Sequence, residues 1–210
     1  MIVAGLTGSI AMGKSTVAGH LRSRGVAVLD ADRVVHDLYE GEAAPLIEAV
    51  FPGTASDGTV NRLALAEHVL KGEAELKKLE AIVHPLVREA EWRFLSAEQS
   101  RGQDLAFLEI PLLFETGAHD LFDAIAVVSA PAEAQRERLL ERPDMSVEKF
   151  EAIIARQWPD HIKRGKADYV VDTGVGIADT FRQIDAILED ILKKPALAFQ
   201  RWADLYKESR

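Results

Sequence analysis

The chain opens on an uninterrupted apolar run. The first six residues, Met1 to Leu6, have no charged position and lead into Gly8, which predicts a short strand buried on both faces. From Lys14 to about Arg24 the period changes: Val17, Ala18 and Leu21 share one helical face, and Gly25 ends the segment. Val26 to Leu29 is a second apolar run, closing at Asp30-Ala31-Asp32. Strand, loop, helix and strand in this order make a βαβ unit, the mark of a parallel α/β sheet.

The middle of the chain reads differently. Helical patterns cover Pro45 to Phe51, Arg62 to Leu70, Glu73 to Val83 and Pro85 to Gln99, joined at Pro52-Gly53, Ser56-Asp57-Gly58 and Gly72. No strand pattern of comparable strength occurs there, so residues 32–104 are expected to form a helical insertion on the sheet. Short apolar runs return at Leu105 to Ile110 and at Ala124 to Ser129. Two charged helical patterns follow between Ala132 and Lys166, broken by Arg142-Pro143-Asp144-Met145-Ser146. Tyr169-Val170-Val171 predicts a last strand. Ile177, Phe181, Ile184, Leu188 and Ile191 then line one face of a closing helix, which Pro195 ends. A short C-terminal helix containing Trp202 is expected to pack back onto the body.

Composition narrows the function. The 210 residues are 48% hydrophobic and 28% charged, as expected of a folded core with an insertion. A net charge of −9 argues against a non-specific nucleic-acid binder but leaves room for a small anion held by a few cations in a cleft. The absence of cysteine rules out disulfides, thiolate metal sites and a Cys nucleophile, and fits a reducing compartment. With no signal-like start and no apolar run near the roughly 20 residues that span a bilayer, a cytoplasmic protein without a membrane partner is expected.

The chemistry is concentrated in Gly8-Ser9-Ile10-Ala11-Met12-Gly13-Lys14-Ser15, which matches G-x-x-x-x-G-K-[ST]. Glycine lets the backbone turn its N–H groups into one concavity, and the helix behind presents its positive end there. The lysine reaches the outer phosphates of a nucleotide, and the Ser15 hydroxyl ligates Mg²⁺. Such a match arises by chance in on the order of one chain in a hundred. This one also lies between a strand and a helix, the context the motif requires. ATP and Mg²⁺ are therefore the expected ligands, with the nucleotide contacts running through Thr16.

Phosphoryl transfer also needs a carboxylate to take the acceptor's proton. Asp30 and Asp32 both end the second strand, where ligands of open α/β sheets gather. Position alone leaves Asp32 equally a base or the cap of a helix beginning at Arg33. Glu109 closes the third predicted strand and is a candidate for holding Mg²⁺ through water. Arg136, Arg138, Arg142, Arg156 and Arg164 populate the charged stretch, and at least one is expected to reach the γ-phosphate.

Together, the phosphate loop, Asp30-Ala31-Asp32, His84-Pro85 and Pro111-Leu112-Leu113-Phe114-Glu115 resemble the dephospho-CoA kinase family from Leu6 to about Leu192. The resemblance implies a P-loop NTPase fold, a five-stranded parallel sheet flanked by helices, with a helical substrate-binding insertion and a lid. It divides the chain into a nucleotide-binding core (1–31, 105–131, 167–195), a CoA-substrate domain (32–104), a lid (132–166) and a C-terminal helix (196–210). The implied reaction moves the ATP γ-phosphate to the 3′-hydroxyl of dephospho-CoA, with Asp32 as the base and Lys14, Arg138 and Arg142 on the phosphates. Thr7, His84, Leu112, Leu113 and Glu115 would contact the acceptor, Thr173 and Gly174 the nucleotide. A monomer or weak homo-oligomer is expected.

Three positions depart from the family pattern. Ala11 stands where glycine is usual, a change that is tolerable if the residue keeps φ below zero. Arg142-Pro143-Asp144 lacks the usual Asp-Gly and predicts a stiffer hinge. Thr173 replaces an asparagine and cannot offer the paired donor and acceptor of an amide. Two other functions remain compatible with the motif: a different small-molecule P-loop kinase, or a nucleotide-dependent regulatory protein. The latter would need a water-positioning residue and switch loops, for which the sequence has no signature.

Overall fold

The computed structural model describes residues 1–141 and 145–208. The elements run β1 (Ile2–Thr7), α1 (Lys14–Ser23), β2 (Ala27–Asp30), α2 (Ala31–Tyr39), α3 (Ala43–Val50), β3 (Ala55–Ser56), β4 (Thr59–Val60), α4 (Arg62–Val69) and α5 (Glu73–Ser100). They continue with β5 (Leu105–Glu109), β6 (Ala124–Ser129), α6 (Ala132–Leu140), α7 (Val147–Ile154), α8 (Asp160–Lys166), β7 (Tyr169–Asp172), α9 (Ile177–Ile191) and α10 (Ala198–Glu208).

Five strands form one parallel sheet in the order β2-β5-β1-β6-β7. All six residues of β1 are buried, because helices cover both faces of a parallel sheet and leave no solvent side to mark with polar residues. Alternate strand positions divide between two cores. Ile2, Ala4, Leu6, Phe107 and Val128 meet Val17 and Leu21 of α1 and Ile184 and Ile191 of α9. Val3, Ala106, Leu108 and Val127 meet Leu95 of α5 and Trp202 of α10. The expected five-stranded parallel sheet flanked by helices is therefore present.

The insertion carries a third core, built from Leu38, Ile47, Phe51, Leu65 and Val83. Two details there differ from the sequence reading. Asp57 and Gly58 have φ of 50° and 77° and close a two-residue hairpin between β3 and β4, where the Asp-Gly pair had been read only as a turn. The break expected at His84-Pro85 is also absent. α5 runs unbroken through Pro85 for 28 residues. Proline removes one main-chain donor and crowds the preceding turn, at a cost of about 3 kcal/mol in a helix interior. Burial of Val83 in the insertion core and Leu95 in the sheet core holds the helix on either side of it.

α10 packs back as expected. The carboxylate of Asp123 accepts hydrogen bonds from the N–H groups of Val3 (3.0 Å), Leu197 (2.8 Å) and Ala198 (2.7 Å), joining the start of β1 to the start of α10. Trp202 is buried, and its indole N–H donates to the carbonyl of Leu121 at 2.9 Å. Among the described residues, no helix is long and apolar enough to cross a membrane.

Candidate active site

β1 delivers the phosphate loop at the carboxyl edge of the sheet. Its first glycine is forced: a Cβ at Gly8 would lie 2.4 Å from the carbonyl oxygen of Val128 on β6. Gly13, with φ of 92°, is the N-cap of α1 and supplies no side-chain cap. The positive end of α1 therefore faces the concavity of the loop, which is where a phosphate would sit. The Lys14 ammonium donates to the carbonyl of Gly8 at 3.0 Å, curled over the same concavity. Ser15 and Thr16 are exposed on its rim.

Ala11 does not meet the condition of a negative φ. Its φ is 60°, in the left-handed region, because the loop needs a glycine-like turn at that point whichever residue occupies it. An alanine held there costs about 1 kcal/mol or more, part of which glycine would return as chain entropy. Ala11→Gly is therefore expected to raise the melting temperature by about 2 °C. Unchanged or lower thermal stability by calorimetry would contradict the strain.

The loop is braced from behind. Gln135 of α6 donates to the carbonyl of Ile10 at 2.8 Å, and the side-chain oxygen of Gln157 accepts from the Ile10 N–H at 3.1 Å. Thr173 donates its hydroxyl to the carbonyl of Met12 at 2.7 Å and accepts from Arg138 at 3.1 Å. A second guanidinium nitrogen of Arg138 donates to the Thr173 carbonyl at 2.6 Å. Buried and committed in this way, the Thr173 side chain braces the phosphate loop. Gly174 is exposed beside it, packed against Pro131. Arg142 and the Arg142-Pro143-Asp144 hinge lie outside the described residues.

Asp32 and Glu109 lie within the field of Lys14, with Asp30 beside both. Strand register places Glu109 between Leu6 and Asp30 on neighbouring strands. The ambiguity at Asp32 is resolved in part, since Asp30 is the cap: its carboxylate accepts from the Arg33 N–H, while Asp32 lies inside the first turn of α2. Burial, and then the negative charge of Asp30, push the Asp32 carboxyl above its ordinary range, with Lys14 opposing. Glu109 is raised by burial first and by Asp30 next, while Lys14 and Arg22 pull it down. Crowded acids of this kind favour a shared cation. Among the described residues, however, no cluster of three His, Cys, Asp or Glu side chains could hold a metal alone.

Beside Asp32 opens a cavity of about 780 Å³ between α2, α5, α10 and the segment after β5. Tyr39, Val83, Val87, Ile110, Leu112 and Leu121 give it apolar walls, with His84, Arg88 and Arg156 as its basic groups. Asp32, His84 and Leu112 thus meet in one cavity, while Thr7, Leu113 and Glu115, also expected at the acceptor, are not among its lining residues. Thr7 is fully buried and donates its hydroxyl to the carbonyl of Pro111 at 3.2 Å. Leu113 is core together with Phe114, while Leu112 takes the cavity side. Glu115 turns to α8, where its carboxylate lies 2.8 Å from the Lys163 ammonium and accepts from the Trp158 N–H at 2.7 Å.

Sequence reasoning missed Glu91, Arg88, Leu205 and the cavity role of Trp202. One signal was available: Val83, Val87, Glu91 and Leu95 follow each other at intervals of four, an acid inside an apolar helical stripe.

The chain matches the family model described as dephospho-CoA kinase over residues 1–179. It is 52% identical to a dephospho-CoA kinase of Mesorhizobium japonicum over 191 residues, covering 91% of this chain and 97% of that one. Among solved structures, a Thermus thermophilus protein superposes with a TM-score of 0.79 at 38% identity, covering 90% of this chain and 97% of the other. The dephospho-CoA kinase of Campylobacter jejuni follows with a TM-score of 0.69 at 27% identity, covering 91% and 97%. With its parallel sheet, its phosphate loop and a family match across most of its length, the chain belongs to the dephospho-CoA kinase family.

Proposed function

We propose that the protein transfers the γ-phosphoryl group of ATP to the 3′-hydroxyl of dephospho-CoA, completing coenzyme A synthesis. The observation that carries this reading is the juxtaposition of the phosphate loop with a large, mainly apolar cavity that has Asp32 at their junction. ATP belongs on residues 8–16, against the helix end and Lys14. The cavity belongs to the acceptor, with His84 and Leu112 on its walls. In this reading the core is 1–31, 105–131 and 167–195, the acceptor domain 32–104, the lid 132–166, and 196–210 a terminal helix. The protein acts as a monomer or weak homo-oligomer on a small molecule, not on nucleic acid.

The cradle fits a divalent cation, given an exposed Ser15 hydroxyl and the crowded acids behind it; Ser15 and Glu109 would hold Mg²⁺, with Glu109 acting through water. Bound there, Mg²⁺ neutralises phosphate oxygens. Lys14 stabilises charge on the β- and γ-phosphates. Arg138, at the end of α6, is within the lid that brings guanidinium groups to the phosphates. Asp32 takes the 3′-hydroxyl proton as the oxygen bonds to the γ-phosphorus, and the bond from that phosphorus to the bridging oxygen breaks to release ADP.

Release of ADP measured with ATP·Mg²⁺, with and without dephospho-CoA, tests the reading when mass spectrometry identifies the product. ADP release that depends on dephospho-CoA and yields coenzyme A is expected. Hydrolysis indifferent to every acceptor would overturn it.

The acids add a pH prediction. The base must be ionised, and its raised pKa means that activity fails, as pH falls, sooner than for an ordinary aspartate. Asp30→Asn keeps an N-cap of similar quality while removing the charge that helps raise Asp32. The acid limb of the kcat/KM profile should move to lower pH. An unmoved limb would show that Asp30 does not control the base.

A further inference from the structure

The α5–α10 wall of the cavity carries a polar group that the transfer chemistry does not use. Glu91 is only 5% exposed, yet it lines the cavity. Its neighbours in the stripe, Val87 and Leu95, are apolar, and across from it Trp202 and Leu205 of α10 complete the wall. Among the described residues no hydrogen bond or ion pair to its carboxyl is made; exposed Arg88, one turn away, is the charge it feels. Trp202 is itself fixed by its bond to Leu121. A buried carboxyl without a partner is strongly disfavoured when ionised, so the fold keeps it only at a standing disadvantage unless something in the cavity satisfies it.

We propose that Glu91, against the apolar wall of Trp202 and Leu205, is a specificity determinant of the acceptor site that pairs with an uncharged edge carrying a donor and an acceptor side by side. This rests on the acceptor reading of the cavity. Burial raises the Glu91 carboxyl to about 7, so near neutral pH it is substantially protonated, with an O–H to donate and a carbonyl oxygen to accept. That pattern complements the amino edge of adenine, where an N–H and a ring nitrogen lie side by side, and it disfavours an anion. Dephospho-CoA offers that complement on its adenine, whereas the trans amides of its pantetheine arm turn N–H and C=O to opposite sides. It also makes α10, which lies beyond the residues matched by the family model, part of the acceptor site.

Two substitutions test it. Glu91→Leu removes the pairing but is favourable to a purely structural core, and Glu91→Gln retains a donor and an acceptor. The expected result is a KM for dephospho-CoA about tenfold higher in the leucine variant, near wild type in the glutamine variant, with the KM for ATP unmoved and thermal melts confirming both folds. Calorimetric binding of dephospho-CoA should weaken in parallel. 4′-Phosphopantetheine, which has the arm and no base, is the control: its inhibition should be the same in the leucine variant and the wild type. Inhibition weakened in the leucine variant as much as dephospho-CoA binding would overturn the pairing with adenine. A folded leucine variant that keeps the wild-type KM and affinity for dephospho-CoA would overturn the proposal. So would a glutamine variant as impaired as the leucine one. If wild-type protein neither binds nor phosphorylates dephospho-CoA, the acceptor reading itself has failed, and this proposal falls with it.

Discussion

Asp32→Asn is expected to lower kcat by about a thousandfold, within the range a positioned general base contributes, while ATP binding stays within about twofold of wild type. Asn matches Asp in size and offers an oxygen, so the first turn of α2 keeps its packing, and Asp30 keeps the cap. What is lost is the negative charge that accepts the hydroxyl proton. Removing that charge also relieves repulsion on Glu109, so nucleotide binding has no reason to suffer. The measurement is single-turnover transfer to dephospho-CoA, with nucleotide affinity taken separately by titration. Turnover near the wild-type rate would remove Asp32 from the proton-accepting role and turn attention to Asp30 or Glu109.

The largest expected effect on stability lies at Lys163. Its side chain is 0% exposed and pairs with Glu115 at 2.8 Å, while the second oxygen of that carboxylate has no hydrogen-bond partner among the described residues. Breaking a buried pair leaves its partner charged and uncompensated, which costs about 3 kcal/mol. Lys163→Met should therefore lower the melting temperature by roughly 6–12 °C. The double variant Lys163→Met with Glu115→Gln should recover most of the loss. It removes both charges and keeps a carbonyl oxygen for the Trp158 N–H, which now donates to Glu115. A double variant no more stable than Lys163→Met alone would show that packing of the lysine chain, not its charge, holds α8 to this segment.

What could be read from the sequence followed the range of the interactions. The phosphate loop is a local object, and its glycines, Lys14 and Ser15 fall where their spacing puts them. The five strands were legible for a similar reason, since each is a short apolar run that needs no knowledge of its partners. Side-chain direction was not. Leu112 and Leu113 are adjacent and alike, and only the packing of the segment against β1 decides that one lines the cavity and the other fills the core. Thr7, Thr173 and Glu115 form bonds to residues 104, 161 and 48 positions away, and no local pattern specifies such pairings. Ala11 shows the reverse case: the backbone needs of a shared loop outweighed the preference of the residue present. Pro85 shows packing overruling a helix breaker in the same way.

The strand order also bears on how the protein is made. β1 is the central strand, but its neighbours β5 and β6 begin at Leu105 and Ala124. At ribosomal speeds of about 5–20 residues per second, an apolar strand emerges some 5 to 20 s before it has anything to pair with. The groups that brace the phosphate loop, Gln135, Gln157 and Thr173, come later still, and α10, which covers the second face of the sheet, comes last. The nucleotide cradle is thus among the first segments synthesised and among the last to be finished. Nascent chains should depend on holding factors throughout translation, and a slow codon stretch before β5 would lengthen the exposure of β1.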